Sequence, residues 1–165
     1  MKKEVHTFTL LLVNEHELTT ELEDALFEAG CDDGMLFSKN QVVYIEFDRD
    51  ADSLEEAIVS AINNVESAGF QVARVEPSDL VTSAEISRRA NRSRQSVAQI
   101  IKGKRGKGGF PIPVAGVTSK TSVWSWAEVS NWLLKEEKID DLFLIKKAEV
   151  IRDVNQTLEL RRHPY

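Results

Sequence analysis

One short stretch of the chain offers a guanidinium, two amides and a hydroxyl group: Arg94, Gln95, Ser96 and Gln99. These are groups that pair with base edges in the major groove of DNA, where arginine matches guanine and glutamine matches adenine. Cations placed for phosphate contacts surround them. The surrounding residues are Arg88, Arg89, Arg92, Lys102, Lys104, Arg105 and Lys107, and Ser93 and Lys120 complete the candidate set. The residue types therefore predict a surface that reads bases at its centre and contacts phosphates around it.

Charge is sorted along the chain in a way that fits this surface. Residues 1–79 hold 5 Lys and Arg against 18 Asp and Glu, residues 80–124 hold 9 against 1, and residues 125–165 hold 7 against 8. The net charge of −6 and the pI near 5.2 hide the basic block in the middle. Because phosphates are met by clustered cations rather than by net charge, the asymmetry favours contact with nucleic acid.

Two short helices must position the candidate residues. Thr82 and Glu85 form a capping box that predicts the first helix, and Ser93 is a typical N-cap for the second. Asn91 between them tolerates a left-handed backbone. The predicted helices cover residues 83–90 and 94–101. Two helices joined by so few residues have helix-turn-helix geometry.

Loop and wing elements follow the second helix. Residues 102–109 combine four cations with four glycines, so this loop can lie close to a sugar-phosphate chain. Residues 112–114 and 121–125 predict the two sides of a β-wing tipped by Ser119 and Lys120. A third capping box, Ser125 with Glu128, predicts one more helix.

These residues resemble the MerR-like and excisionase-like winged helix regulators of bacteria and phages, including the AlpA-type group. The resemblance is carried by residues 83–90, 93–97, 109–113, 124–129 and 132–133, about a third of the chain. It implies that the helix from Arg94 reads the major groove of double-stranded DNA and that the wing makes contacts nearby. Two positions depart from the pattern: Asn91 stands where glycine is usual, and Arg92 stands where such turns bury an apolar residue.

The first 77 residues predict a separate acidic α+β domain. Strand-like runs cover residues 5–13, 35–38, 41–48 and 70–75, and a hairpin turn is expected at Lys39 and Asn40. The second of two helices begins at a capping box, Ser53 with Glu56. The resulting βαββαβ order is the ferredoxin-like arrangement, which hosts docking and sensing functions alike.

Catalytic and metal sites are not expected. Asp48, Asp50 and Asp52 alternate like the first ligands of a calcium loop, but the glycine and the bidentate glutamate of such a loop are missing. Cys31 lies beside two carboxylates, which disfavour a thiolate, and the three histidines form no recognisable triad. We therefore expect no enzyme activity, no metal and no cofactor.

The C-terminal residues 136–165 predict an amphipathic helix from Asp140 to about Leu160. Its apolar positions follow heptad spacing, with asparagine at one of them: Leu144, Ala148, Ile151, Asn155 and Leu158. This fits a short parallel homodimer in which asparagine selects the register. It fits equally a helix packed on its own domain.

Together these patterns predict an α+β chain with domains at 1–77, 78–135 and 136–165. The apolar run at residues 8–13 is too short to span a membrane, and a lone cysteine suits a reducing compartment, so we expect a cytoplasmic protein. The leading hypothesis is a sequence-specific, DNA-binding transcriptional regulator of bacterial or phage origin. The rival is an antitoxin or adaptor whose acidic N-terminal domain binds a protein partner.

Overall fold

The computed structural model describes residues 3–104, 108–136 and 142–162, with side chains in the last range from residue 146 onward. The described chain is a mixed α+β protein with a four-stranded antiparallel sheet and six helices. It divides into two compact units. One comprises the described residues up to Pro77 and from Asp153 onward, and the other is Ser78–Arg152. Their sequences carry 7 Lys and Arg against 19 Asp and Glu, and 14 against 8, so we call them the acidic unit and the basic unit.

The acidic unit has the predicted order of strands and helices. Its elements are β1 (Glu4–Leu12), α1 (Thr20–Glu28), β2 (Gly34–Lys39), β3 (Val42–Ala51), α2 (Leu54–Ser67) and β4 (Val72–Glu76). The strands lie in the order β2-β3-β1-β4, and all neighbours are antiparallel. Strands β2 and β4 are therefore the two edges of the sheet.

Helix α2 shows how local sequence dictates this fold. Its N-cap is Ser53, whose Oγ accepts a hydrogen bond from the Glu56 backbone N at 3.1 Å, as the capping box predicts. Its apolar stripe is buried in full: Leu54, Ala57, Ile58, Ala61, Ile62 and Val65. Burial of such a stripe against a sheet supplies most of the stability of an amphipathic helix.

The β2–β3 hairpin turns one residue later than predicted. Lys39 pairs with Val42 in the ladder, so the two loop residues are Asn40 and Gln41 rather than Lys39 and Asn40. Both loop residues have positive φ, 51° and 63°, as the two-residue hairpin loops that match strand twist require. The prediction was wrong because the sequence has no Asn-Gly pair to mark the register.

A buried arginine, Arg49 on β3, ties the acidic unit together. Its Nε and Nη2 donate to the two carboxylate oxygens of Asp33 at 2.7 and 2.8 Å. Nη1 donates to Ser60 Oγ at 3.1 Å and Asn64 Oδ1 at 2.8 Å, and Nη2 also donates to the Gly30 carbonyl at 2.9 Å. The hydrogen bond to Asp33 raises the pKa of Arg49 above its ordinary value. All of the donors of this guanidinium are used inside the protein, linking β3 to α2 and to the segment between α1 and β2.

The basic unit is built around two tryptophans. Its elements are β5 (Leu80–Val81), α3 (Ser83–Arg89), α4 (Arg94–Ile101), β6 (Trp124–Ser125), α5 (Trp126–Lys135) and the first half of α6 (Leu142–Arg162). Strands β5 and β6 pair antiparallel. Trp124 and Trp126 are buried with apolar residues of α3, α4 and α5 in a single core. This unit therefore has its own hydrophobic core.

Helix α6 is not the dimerisation seam that its heptad pattern suggested. Asn155 Oδ1 accepts from the Val75 backbone N at 2.7 Å, and Asn155 Nδ2 donates to the Val75 carbonyl at 3.0 Å. Ala148, Ile151 and Leu158 are buried within the chain. The side chain of Leu144 lies outside the described residues. The alternative of a helix packed on its own chain is correct, because these three apolar residues are buried in the single chain and the amide of Asn155 bonds both peptide groups of Val75 on edge strand β4.

Candidate nucleic-acid interface

The turn between α3 and α4 is built as its sequence predicts. Thr82 Oγ1 accepts from the Glu85 N at 3.3 Å, and Ser93 Oγ accepts from the Ser96 N at 3.0 Å, so both helices are capped at the predicted residues. Asn91 adopts the left-handed conformation with φ of 53°. These local interactions fix where α4 begins and therefore which of its residues face solvent.

The candidate base-reading residues of helix α4 differ in how far they are exposed to solvent. Arg94 and Gln95 in its first turn are exposed, and Gln99 one turn further on is half-buried. Ser96 is buried, with 9% of its surface exposed, so its prediction as an exposed contact residue is wrong. Ser96 precedes Val97, and the inward face of an amphipathic helix is about 100° wide or more, which is enough to bury both.

Two of the predicted phosphate contacts are occupied inside the protein. Glu85 Oε1 accepts from Arg89 Nε at 3.1 Å, and Glu85 Oε2 accepts from Arg88 Nη2. The pKa of Glu85 is lowered, chiefly by the hydrogen bond from Arg88. Arg89 also donates to the Ser78 carbonyl at 3.1 Å, and its guanidinium lies 5.6 Å from the ring centre of Trp126. Arg89 is thus a structural residue rather than a phosphate contact, whereas Arg88 keeps 71% of its side chain exposed.

Arg92 is half-buried at the turn. Its backbone N donates to the Ser87 carbonyl at 2.9 Å, and its Nε is buried with no hydrogen-bond partner among the described residues. The side chain is therefore partly buried in the turn rather than pointing wholly outward. Burying an unpaired donor costs about 1–3 kcal/mol, so the turn is less stable than an apolar residue would make it.

Four candidate cations of the basic unit remain exposed to solvent. Arg94, Lys102, Lys104 and Lys120 are exposed, and none of them makes a hydrogen bond or ion pair through its side chain within the described ranges. Ser93 is exposed but uses its hydroxyl as the α4 cap. The predicted contacts Arg105 and Lys107 lie outside the described residues. The available charge therefore lies at the start and end of α4 and in the 114–123 loop.

The predicted wing is smaller than expected. Ala115 and Val123 form a single antiparallel bridge, and Val114 N donates to the Val123 carbonyl at 2.8 Å. The expected strands at 112–114 and 121–125 do not form, because Trp124 and Ser125 pair instead with Leu80 and Val81. What remains is a hairpin-like loop over residues 114–123, with Lys120 near its tip.

Aromatic packing fixes the segment that leads into this loop. Phe110 lies edge-on to Trp124 and Trp132, with ring centres 6.3 and 5.2 Å apart. The Trp124 indole N–H donates to the Pro111 carbonyl, and that of Trp132 donates to the Gly108 carbonyl, both at 3.1 Å. This packing holds the backbone at Gly108 and Pro111 in place.

Sequence reasoning missed Asp79, which holds the basic unit together. Its carboxylate accepts from Ser125 Oγ and from the Ala127 N, both at 2.7 Å, and its carbonyl accepts from the Trp126 N at 2.7 Å. Asp79 is buried and lies at the N-terminus of α5, where negative charge is favourable. A lone acid immediately before the basic block was the signal that could have found it.

The other candidate groups for chemistry are the Cys31 thiol and the side chains that could bind a metal ion. Burial raises the pKa of the Cys31 thiol to about 11, so the thiolate is scarce at neutral pH. Within the described residues no group of His, Cys, Asp and Glu could hold a metal ion. Among the described helices, none combines the length and apolar character that crossing a membrane requires.

Comparisons with models of protein families, with curated protein sequences and with solved structures gave no match to this chain.

Proposed function

We propose that this chain is a sequence-specific, double-stranded DNA-binding transcriptional regulator of bacterial or phage origin. In this proposal the basic unit is a winged helix-turn-helix, with α4 in the major groove and the 114–123 loop as a short wing. The acidic unit is a ferredoxin-like domain, a proposal supported by the strand order β2-β3-β1-β4 with antiparallel neighbours.

The observation that carries the proposal is the solvent exposure of the side chains in the first turn of α4. Arg94 and Gln95 are exposed there, and the side chain of Arg94 has no partner among the described residues. In helix-turn-helix proteins the N-terminal residues of the second helix contact base edges. A cation and an amide at these positions suit guanine and adenine respectively.

The pattern of used and unused cations supports the same proposal. Glu85 pairs with both Arg88 and Arg89 within α3, whereas Lys102, Lys104 and Lys120 are exposed and unpaired in the described chain. Cations held by the fold contribute to stability, and cations left in solvent are available for phosphates. The exposed cations lie on the unit that has its own positive net charge, while the acidic unit carries none of the proposed contacts.

The experiment is a salt titration of duplex binding by fluorescence anisotropy, using the full chain. We expect affinity to fall steeply with salt, and Lys104→Ala to reduce the slope of log K against log salt by roughly 1. Arg74→Ala is the matched control, because Arg74 is exposed but pairs with Glu76 in the acidic unit. The proposal fails if the duplex is not bound at low salt, or if Lys104→Ala and Arg74→Ala have equal effects.

A second candidate function rests on the sheet face of the acidic unit opposite its helices. Glu46 and Asp48 are exposed there, next to Thr7, whose Oγ1 donates to Asp48 Oδ1 at 2.9 Å. Met35 on the neighbouring strand is opposite Glu46 and is 65% exposed. An apolar side chain among carboxylates suits a basic protein partner, as in an antitoxin or adaptor. Capture of one stoichiometric partner by the full chain, lost in Glu46→Lys and kept in Glu128→Lys of the basic unit, would favour this function.

A further inference from the structure

The two edges of the sheet in the acidic unit differ. At edge β4 the amide of Asn155 bonds both the N–H and the carbonyl of Val75. At edge β2 no such cover exists in the described chain, and Met35 and Ser38 are exposed. An uncovered edge strand offers a row of peptide groups that another strand can pair with.

The hydrogen-bond ladder between β2 and β3 shows which peptide groups of β2 point away from β3. Asp48 N donates to the Asp33 carbonyl at 3.3 Å, and hydrogen-bonded pairs alternate with non-bonded pairs in an antiparallel ladder. The peptide groups of Leu36 and Ser38 therefore point away from β3. The same holds for the Gly34 carbonyl, whereas the Gly34 N–H already donates to the Cys31 carbonyl at 3.1 Å.

Apolar side chains border this edge on both faces of the sheet. Met35 is 65% exposed on the face away from the helices, and Phe27 of α1 is 66% exposed on the helix side. Phe27, Leu36 and Cys31 line a shallow groove of about 360 Å³ along the helix side of the edge. Exposed apolar groups on both sides of a free strand indicate an interaction surface.

We infer that edge β2 is a homodimer interface, at which β2 of a second copy pairs antiparallel to form one continuous sheet. A two-fold axis at Leu36 places Leu36 opposite its own copy and Gly34 opposite Ser38. Each Leu36 N–H then donates to the Leu36 carbonyl of the other copy, and each Ser38 N–H donates to the other Gly34 carbonyl. Met35 faces Phe37 across the axis, so apolar side chains meet on one face.

Charge complementarity favours a second copy paired antiparallel. Strand β2 has Asp32 and Asp33 before its first residue and Lys39 as its last. The antiparallel register brings Lys39 of each copy to the end of the other β2 that carries the exposed Asp32, whereas an in-register parallel pair would align like charges. The opposite charges stabilise this register, and like charges directly across a sheet are destabilising.

The proposed dimer interface does not depend on the proposed DNA contact, and the two can be distinguished by their dependence on salt. Two acidic units repel each other, and screening weakens the repulsion over a Debye length of about 8 Å at physiological ionic strength. Dimerisation should therefore strengthen as salt is raised, while DNA binding weakens. The failure of one claim can be recognised without the other.

The experiment is sedimentation equilibrium of the full chain with two edge variants. Leu36→Pro removes the N–H that pairs across the axis and should raise the dimer dissociation constant at least tenfold, whereas Leu36→Ala keeps that N–H and should remain mostly dimeric. If Leu36→Pro does not fold, Lys39→Glu decides: it places an acid near Asp32 of the other copy and should also weaken the dimer, while the same charge change in Lys3→Glu should not. A chain that is monomeric throughout, or a dimer unchanged by Leu36→Pro and Lys39→Glu, overturns the inference.

Discussion

Arg49 of the acidic unit and Arg94 of the basic unit differ in how the protein uses their guanidinium groups. Arg49 is buried, and Asp33, Ser60, Asn64 and a carbonyl occupy its donors. Arg94 is exposed and has no described partner. The acidic unit thus uses the guanidinium of Arg49 within its own fold, whereas the basic unit leaves cations in solvent. A cation's role is set by which acceptors the fold brings to it, and residue type or local net charge does not reveal this.

The largest expected effect comes from removing the buried guanidinium. Arg49→Met should lower the free energy of unfolding by about 3–5 kcal/mol, because it leaves the Asp33 carboxylate and the other acceptors without their donor. Urea unfolding at constant protein concentration measures this. The exposed pair Arg74–Glu76 gives the control, since Arg74→Met should change stability by about 1 kcal/mol at most. Equal losses in the two variants would mean that Arg49 is no more structural than a surface arginine.

The same comparison applies to carboxylates in the basic unit. Asp79→Ala should cost about 2–3 kcal/mol, because the Ser125 hydroxyl and the Ala127 N–H lose a buried acceptor. Glu128 on the same helix is exposed, so Glu128→Ala should cost about 0.5 kcal/mol or less. Thermal unfolding of the two variants side by side tests this. Near-equal melting temperatures of the two variants would show that Asp79 does not hold α5 in place.

These long-range partners explain which parts of the structure the sequence could predict. The caps at Ser53, Thr82 and Ser93 and the left-handed Asn91 depend on residues within one turn, and all were predicted correctly. The roles of Arg49 and Asp79 depend on residues 11 to 48 positions away in the chain, which no local pattern encodes. The order of elements followed from periodicity, whereas the register of the hairpin and the extent of the wing depended on which strands meet.

The candidate site divides along the same line. The exposure of Arg94 and Gln95 could be predicted from helical periodicity. The contacts that hold Arg89 inside the protein could not: they are an ion pair with Glu85, a hydrogen bond to the Ser78 carbonyl and a contact with the Trp126 ring. The heptad pattern of α6 was also misleading, because asparagine at a core position can serve a strand edge as well as a coiled coil. Spacing predicts which residues share a face, and it does not predict what that face contacts.

Asn155→Leu distinguishes these two roles of asparagine. In a coiled coil the change would strengthen association by burying leucine at an a position. Here it should lower the free energy of unfolding by about 1–3 kcal/mol, because the Val75 N–H and carbonyl lose their partner. Chemical unfolding together with sedimentation measures both properties. Higher stability with tighter association would restore the coiled-coil interpretation.

A smaller loss of folding stability is expected at alkaline pH, where the Cys31 thiol of the acidic unit ionises. Burial raises the pKa of Cys31 from 9.0 to about 11, so the folded chain disfavours the thiolate that the unfolded chain readily forms. The contribution of this group is complete below about pH 9 and is lost as pH rises through 11, by at most about 3 kcal/mol. Stability curves of the parent chain and Cys31→Ala should converge over this range by that amount. Curves that stay parallel would show that Cys31 is accessible to solvent.

The most direct test of the central claim is selection from a pool of random duplexes by the full chain at near-physiological salt. The account predicts an enriched sequence motif, and a symmetric motif would also report the half-site spacing of a dimer. Repeating the selection with Arg94→Ala should relax preference at one base position by roughly 1–3 kcal/mol, while Lys104→Ala weakens all sequences alike. No enriched motif, with weak and strongly salt-dependent retention, would contradict base reading by α4 and leave the basic unit as an electrostatic surface only.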